Sequence, residues 1–163
     1  MATAQPHSGI PLSLLDRLID LQPESHAEAP MHDWEQARSF KASLCRDLAA
    51  LLNIRRAEQD FDPAYEEATH SLLSFGITDF TAYNLKSGVD QEQVRRSIER
   101  SIRRFEPRLT RVVVSLEEPD SLRPVLKFQI DALLRIGSSG EAIAFDVALY
   151  RDSRRVAVSR GNA

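Results

Sequence analysis

The hydrophobic period of this chain changes once, around Phe105-Glu106-Pro107-Arg108, and that change restricts the folds open to it. Upstream, Val94, Ile98, Ile102 and Phe105 recur at helical spacing on one face. Pro107 disfavours the α region for Glu106, which predicts a helix stop near Phe105. Downstream, Val112, Val114 and Leu116 alternate with Val113 and Ser115. Leu126, Phe128, Ile130, Ala132, Leu134 and Ile136 alternate with Lys127, Gln129, Asp131 and Arg135, the period of a half-buried strand. Ile143, Phe145, Val147 and Leu149 repeat the pattern after a turn at Gly137-Ser138-Ser139-Gly140, and Val156-Ala157-Val158 offers a fourth short strand. Helices first and strands last predict an α+β fold. N-terminal helices precede a long helix packed on a small C-terminal antiparallel sheet with one wet face.

Three further helices are expected. Leu14, Leu15, Leu18 and Ile19 form a short amphipathic stripe over residues 13–20, with Ser13 as N-cap, too short to stand without docking. Phe40, Leu44, Leu48, Leu51 and Leu52 mark a strong second helix that Trp34 and Ala37 extend backwards. A third is predicted over residues 64–74 through Tyr65, Ala68, Leu72 and Leu73, with Gly76 as the left-handed residue beyond it. Residues 78–87 read as irregular, ended by Gly88, and Asp90 as the N-cap of the long helix, with Gln93 completing a variant capping box. Residues 1–33 are expected to form a flexible segment whose part 22–33, with Pro23 and Pro30, is a linker. Residues 34–160 are expected to form a single domain.

Composition narrows the function. The apolar fraction of 42% and charged fraction of 28% are those of a globular chain, and the net charge of −3 is mild. A nucleic-acid or membrane partner would therefore need a local patch. The one cysteine, Cys45, excludes an intrachain disulfide and sits among leucines as a buried, inert thiol. The N-terminus lacks the basic start and apolar run of a signal peptide, and no stretch reaches the roughly 20 apolar residues of a membrane helix. A cytoplasmic protein is expected.

Motifs for chemistry are scarce. His7, His26, His32 and His70 share no metal-site spacing, so surface histidines are the simpler reading. There is no Gly-x-Ser-x-Gly and no phosphate-cradling loop. Glu106 beside Phe105 is the one carboxylate with a glycosidase flavour, but Arg103, Arg104 and Arg108 flank it and favour its charged form, against a general-acid role. What stands out is the arginine density: Arg95, Arg96, Arg100, Arg103, Arg104, Arg108 and Arg111 share one short window. Glu92 and Glu99 can pair with Arg96 and Arg103 at i,i+4, so a solvated face accounts for some of them. The others suit a docking face for carboxylates or phosphates. No aromatic residues interleave with them, and the chain is acidic overall, which favours a protein surface over nucleic acid.

At Arg103-Arg104-Phe105-Glu106-Pro107-Arg108-Leu109 the sequence resembles the TssE family, the small baseplate wedge subunits of bacterial type VI secretion systems. That family is related to the phage-tail baseplate wedge protein once called lysozyme-like. Leu14-Leu15-Asp16-Arg17-Leu18, Ser43-Leu44-Cys45-Arg46-Asp47-Leu48, Leu51-Leu52-Asn53-Ile54-Arg55-Arg56 and Leu72-Leu73-Ser74-Phe75-Gly76-Ile77-Thr78-Asp79-Phe80 carry the resemblance with the terminal hairpin. Residues 22–33 and the last few have no counterpart in it. The resemblance implies a non-enzymatic scaffold without cofactor, at the cytoplasmic baseplate near the inner membrane. Its implied partners are the wedge proteins TssF and TssG, the TssB–TssC sheath and, as a further candidate, TssK, with no nucleic acid and no direct membrane insertion. Glu106, Pro107 and Arg108, with Arg103 and Arg104, would form the wedge contact. Residues 125–150, with Phe128, Ile130, Ile143, Phe145 and Val147, would form the strand platform for the sheath. A peptidoglycan hydrolase, suggested by the old label, and an arginine-helix nucleic-acid adaptor are the alternative readings.

Overall fold

Two apolar helical stripes and one apolar sheet face close on each other in the structure, a computed structural model. It describes residues 18, 33–56, 64–65, 67–68, 71–84, 86–117, 125–136, 139–150, 153 and 155–161. Of the predicted segment 1–33 only Leu18 and Asp33 are among them, so the helix expected near 13–20 and the linker 22–33 lie outside the described residues. The same holds for all four histidines and for Gly137-Ser138 of the predicted turn.

Helix α1 (Asp33–Asn53) buries the stripe expected of it: Phe40, Leu44, Leu48, Leu51 and Leu52. Cys45 is half-buried beside that stripe, and loss of water pushes its thiol pKa up, with Arg160 pulling weakly the other way. That disfavours the reactive thiolate. Helix α2 (Gly88–Phe105) buries Val94, Ile98 and Ile102. It starts earlier than predicted. Ser87 is the N-cap and its hydroxyl accepts from the Asp90 N–H at 3.5 Å, while Asp90 accepts from the Asn84 N–H at 2.7 Å. Gly88 thus opens the helix instead of ending the loop, because Ser87 already satisfies an orphan N–H of the first turn.

The helix predicted over 64–74 is corrected. Glu67 and Ala68 are helical, but Leu72–Ser74 is a single 3-10 turn, and Leu72 and Leu73 are 86% and 57% exposed. The Ser71 hydroxyl donates to the Ala68 carbonyl at 2.7 Å and accepts from the Leu73 N–H at 3.3 Å. A side chain that captures backbone groups locally competes with the helix ladder. Gly76 does take a positive φ of 106°, for a reason the sequence does not display. The chain passes so close to residue 54 that a Cβ on Gly76 would lie 2.4 Å from the Ile54 carbonyl oxygen. That oxygen accepts from the Ile77 N–H at 2.9 Å, and the Arg56 N–H donates to the Ile77 carbonyl at 3.0 Å. The Ser101 hydroxyl donates to the Gly76 carbonyl at 2.8 Å, which ties the crossing to α2.

The four strands are β1 (Leu109–Leu116), β2 (Val125–Ile136), β3 (Ser139–Tyr150) and β4 (Val156–Arg160). They form one antiparallel sheet in chain order. Leu126, Phe128, Ile130, Ala132 and Leu134 of β2 and Ile143, Phe145, Val147 and Leu149 of β3 are buried with the helical stripes, while Lys127, Asp131, Arg135 and Asp146 face water. The α+β fold with its half-wet sheet is therefore observed. One irregularity sets the start of β1. Leu109, Val112 and Val114 are all buried although strict alternation would put Leu109 opposite the other two. The register shifts between Thr110 and Val113, with Arg111 at φ 51°. This extra residue is a β-bulge that resets the parity of the strand.

Candidate functional site

The exit of α2 is built from the sequence upward. Pro107 has no N–H and disfavours a helical Glu106, so the helix closes there: the Glu106 N–H still reaches the Ile102 carbonyl at 2.9 Å, at φ −121° and ψ 79°. The Leu109 N–H then donates to the Glu106 carbonyl at 3.1 Å and starts the first strand. The turn directs the Glu106 side chain inward, where the residue is 5% exposed. Arg108 grips it with two charge-assisted bonds, Nε to Oε1 at 2.6 Å and Nη2 to Oε2 at 2.5 Å. Nη2 also reaches Asp47 Oδ2 of α1 at 2.8 Å, and Arg46 holds the other Asp47 oxygen at 3.1 Å. The guanidinium carbon lies 5.6 Å from the centre of the Phe40 ring. Through its carbonyl, Arg108 accepts from the Arg135 N–H of β2 at 2.9 Å. Nη1 of Arg108 is buried without a hydrogen-bond partner among the described residues. The bond to Glu106 above all, then that to Asp47, holds the Arg108 pKa above the usual arginine range, so the cation is permanent.

The site residues expected from the sequence separate into three groups. Glu106 and Arg108 come together as a buried brace joining α1, α2 and β2, and Pro107 stays exposed on the turn. Arg104 is exposed, whereas Arg103 bridges Glu99 at 2.7 Å and donates to the Val112 carbonyl at 2.7 Å. Phe128, Ile130, Ile143, Phe145 and Val147 are core residues, on strands paired along both sides. Asp47 and Phe40, partners of Arg108, were beyond sequence reasoning, because nothing local marks a contact spanning 61 positions.

The sheet edges are therefore β1 and β4, and each is partly closed by a helix. On β1 the Glu117 N–H bonds the Lys127 carbonyl of β2, so Val112, Val114 and Leu116 turn their backbone groups outward. Arg103 caps the Val112 carbonyl, and Arg95 caps the Val114 carbonyl at 3.1 Å. Arg95 is itself fixed by Glu92 at 2.7 Å and Glu99 at 2.6 Å. Hydrogen bonds from Arg95 first, then Arg96, pull the Glu92 carboxyl down to about 2. On β4 the bonds Tyr150 N–H to Arg155 and Gly161 N–H to Ala144, both 2.9 Å, leave Val156, Val158 and Arg160 facing outward. The Asn53 side chain pairs with Val156 as a peptide would, accepting from its N–H at 2.9 Å and donating to its carbonyl at 2.8 Å. The outward groups of Val158 and Arg160 have no partner among the described residues.

Comparison with known proteins decides the family. The profile of the baseplate wedge protein gp25 matches residues 38–138, well over half the chain. The chain belongs to the gp25 baseplate wedge family. The matched span of this wedge chain runs from α1 through both helices and the Glu-Pro-Arg turn to the β2–β3 connection, and so contains the brace. As a member of that family it is a structural baseplate subunit. Among solved structures, a chain described as from "The baseplate complex from the type VI secretion system" matches with a TM-score of 0.48 and 18% identity, over 70% of this chain and 97% of that chain. No curated protein matches the sequence. Among the described residues no helix is long and apolar enough to cross a membrane.

Proposed function

We propose that this chain is the TssE-type wedge subunit of a type VI secretion baseplate, a non-enzymatic scaffold that joins the wedge proteins TssF and TssG to the TssB–TssC sheath. The observation that carries the reading is the gp25 family match across the helix exit, and the sequence resemblance around Glu106-Pro107-Arg108 narrows it to the secretion system. The wedge contact is assigned to the turn at Pro107 with Arg104 beside it, both exposed, and Glu106 and Arg108 hold that turn in place from beneath. A surface held by a buried bidentate pair meets its partner with little ordering cost. Co-expression with TssF and TssG followed by size exclusion tests this: a common peak is expected, and separate elution would overturn it.

The platform for the sheath is assigned to the outer edge of β4. Strand addition needs outward N–H and C=O groups, which β2 and β3 lack; on β1 arginines already occupy the Val112 and Val114 carbonyls, whereas on β4 both groups of Val158 and Arg160 are open. Val158→Pro removes an outward N–H without touching the ladder to β3. The variant is expected to keep its far-ultraviolet circular dichroism spectrum and to lose sheath assembly on the baseplate. Unimpaired assembly would remove the β4 edge from the mechanism.

A further inference from the structure

On a different part of α2 from the Glu-Pro-Arg turn, the helix, Arg56 and the 78–83 segment border an open cleft of about 680 Å³. Arg56, Arg95, Arg96 and Arg100 line it, with Glu99 as the one carboxylate. Both glutamates of α2 are already taken. Glu99 is shared between Arg95 and Arg103, and Glu92 between Arg95 and Arg96. Arg56 and Arg100 have no carboxylate partner among the described residues, and Arg100 Nε only touches the Arg96 carbonyl at 3.3 Å. Arg96, Arg100 and Arg104 follow at i, i+4 and i+8, so the exposed positive stripe runs from the cleft along the helix.

One feature separates this surface from an ordinary solvated face. Four arginines gather round one cleft, and a recess lined mainly by one sign of charge focuses its field on an incoming counter-charge. Guanidinium groups also suit planar, bidentate recognition of carboxylates.

We propose that this cleft is a second docking site, taking a carboxylate-rich segment of a partner protein. A carboxylate segment fits better than a nucleic acid. Spaced guanidinium groups offer discrete bidentate contacts to carboxylates, and no aromatic residue stands between Arg95 and Arg104 on which bases could stack. The assignment does not depend on the identity of the baseplate.

The test uses the full chain and a fluorescein-labelled deca-glutamate peptide, followed by anisotropy at low salt. Saturable binding is expected. R56Q/R100Q should weaken it about tenfold or more, whereas K127Q/R135Q, the same charge change on the wet face of the sheet, should alter it less than about twofold. All four positions are exposed, and circular dichroism checks that both variants fold. Absence of binding, or equal loss in both pairs, would overturn the proposal. Tighter binding of a ten-nucleotide oligothymidylate at the same cleft would replace it with a nucleic-acid site. Wedge co-elution can succeed or fail whatever the peptide does, so the two readings are tested separately.

Discussion

Arg108→Ala is expected to destabilise the protein by about 3–5 kcal/mol, because it leaves Glu106 and Asp47 facing each other's side of an emptied, water-poor pocket. Glu106 has a side-chain exposure of 7% and Arg108 of 12%, so solvent screens the pair little. The loss is a large fraction of the 5–15 kcal/mol typical of a whole domain. The denaturation midpoint in urea reads it directly. Glu106→Ala should cost a comparable amount, since it strands the guanidinium whose Nη1 already lacks a partner. The double variant Glu106→Ala/Arg108→Ala should cost clearly less than the sum of the two single changes, the sign of coupled partners. Single-variant losses below about 1 kcal/mol would show that the brace does not hold the fold.

This result changes how the Glu-Pro-Arg turn is probed. The resemblance seen in the sequence implies that Glu106 and Arg108 are contact residues, which alanine would replace without loss of the fold. With the side chains buried, both changes remove stability before any interface is reached. Arg104, exposed beside the turn, is the cleaner probe of contact.

Gly76→Ala is the second large effect. At φ 106° an L side chain is strained, and its Cβ would stand 2.4 Å from the Ile54 oxygen that bonds Ile77. The Ser101 hydroxyl bond to the Gly76 carbonyl anchors the same crossing to α2, which leaves the strand little room to withdraw. A loss of about 2–4 kcal/mol is expected, lowering the melting temperature by roughly 5–15 °C. A melting temperature within about 2 °C of wild type would contradict the close-approach account.

What the sequence made legible follows from periodicity. The burial of Phe40, Leu44 and Leu48 and the alternation of β2 and β3 are local consequences of spacing, and the stop at Phe105 is one of Pro107 two residues on. Leu72 and Leu73 misled because apolar spacing says nothing of Ser71, whose hydroxyl takes over backbone groups that a helix would need. Asp90 has the residue type of a cap, but Ser87 three positions earlier takes that role and leaves Asp90 in the first turn. The arginines were only partly readable. Their pairing with Glu92 and Glu99 is a matter of helical spacing, but that Arg95 and Arg103 close a sheet edge requires knowing which strand is outermost. Likewise, the contact of Arg108 with Asp47 depends on a helix 61 positions away in the chain. Sequence marks the Glu-Pro-Arg turn as special, and the packing shows that its charged members work from below the surface.

The central claim is that the braced turn at Pro107 is the wedge contact. The most direct measurement is co-elution of Arg104→Glu with TssF and TssG, beside its thermal melt. The account predicts that the wild-type chain joins the complex, while the variant melts within a few degrees of it and elutes alone. A variant that melts normally and still enters the complex in full would contradict it.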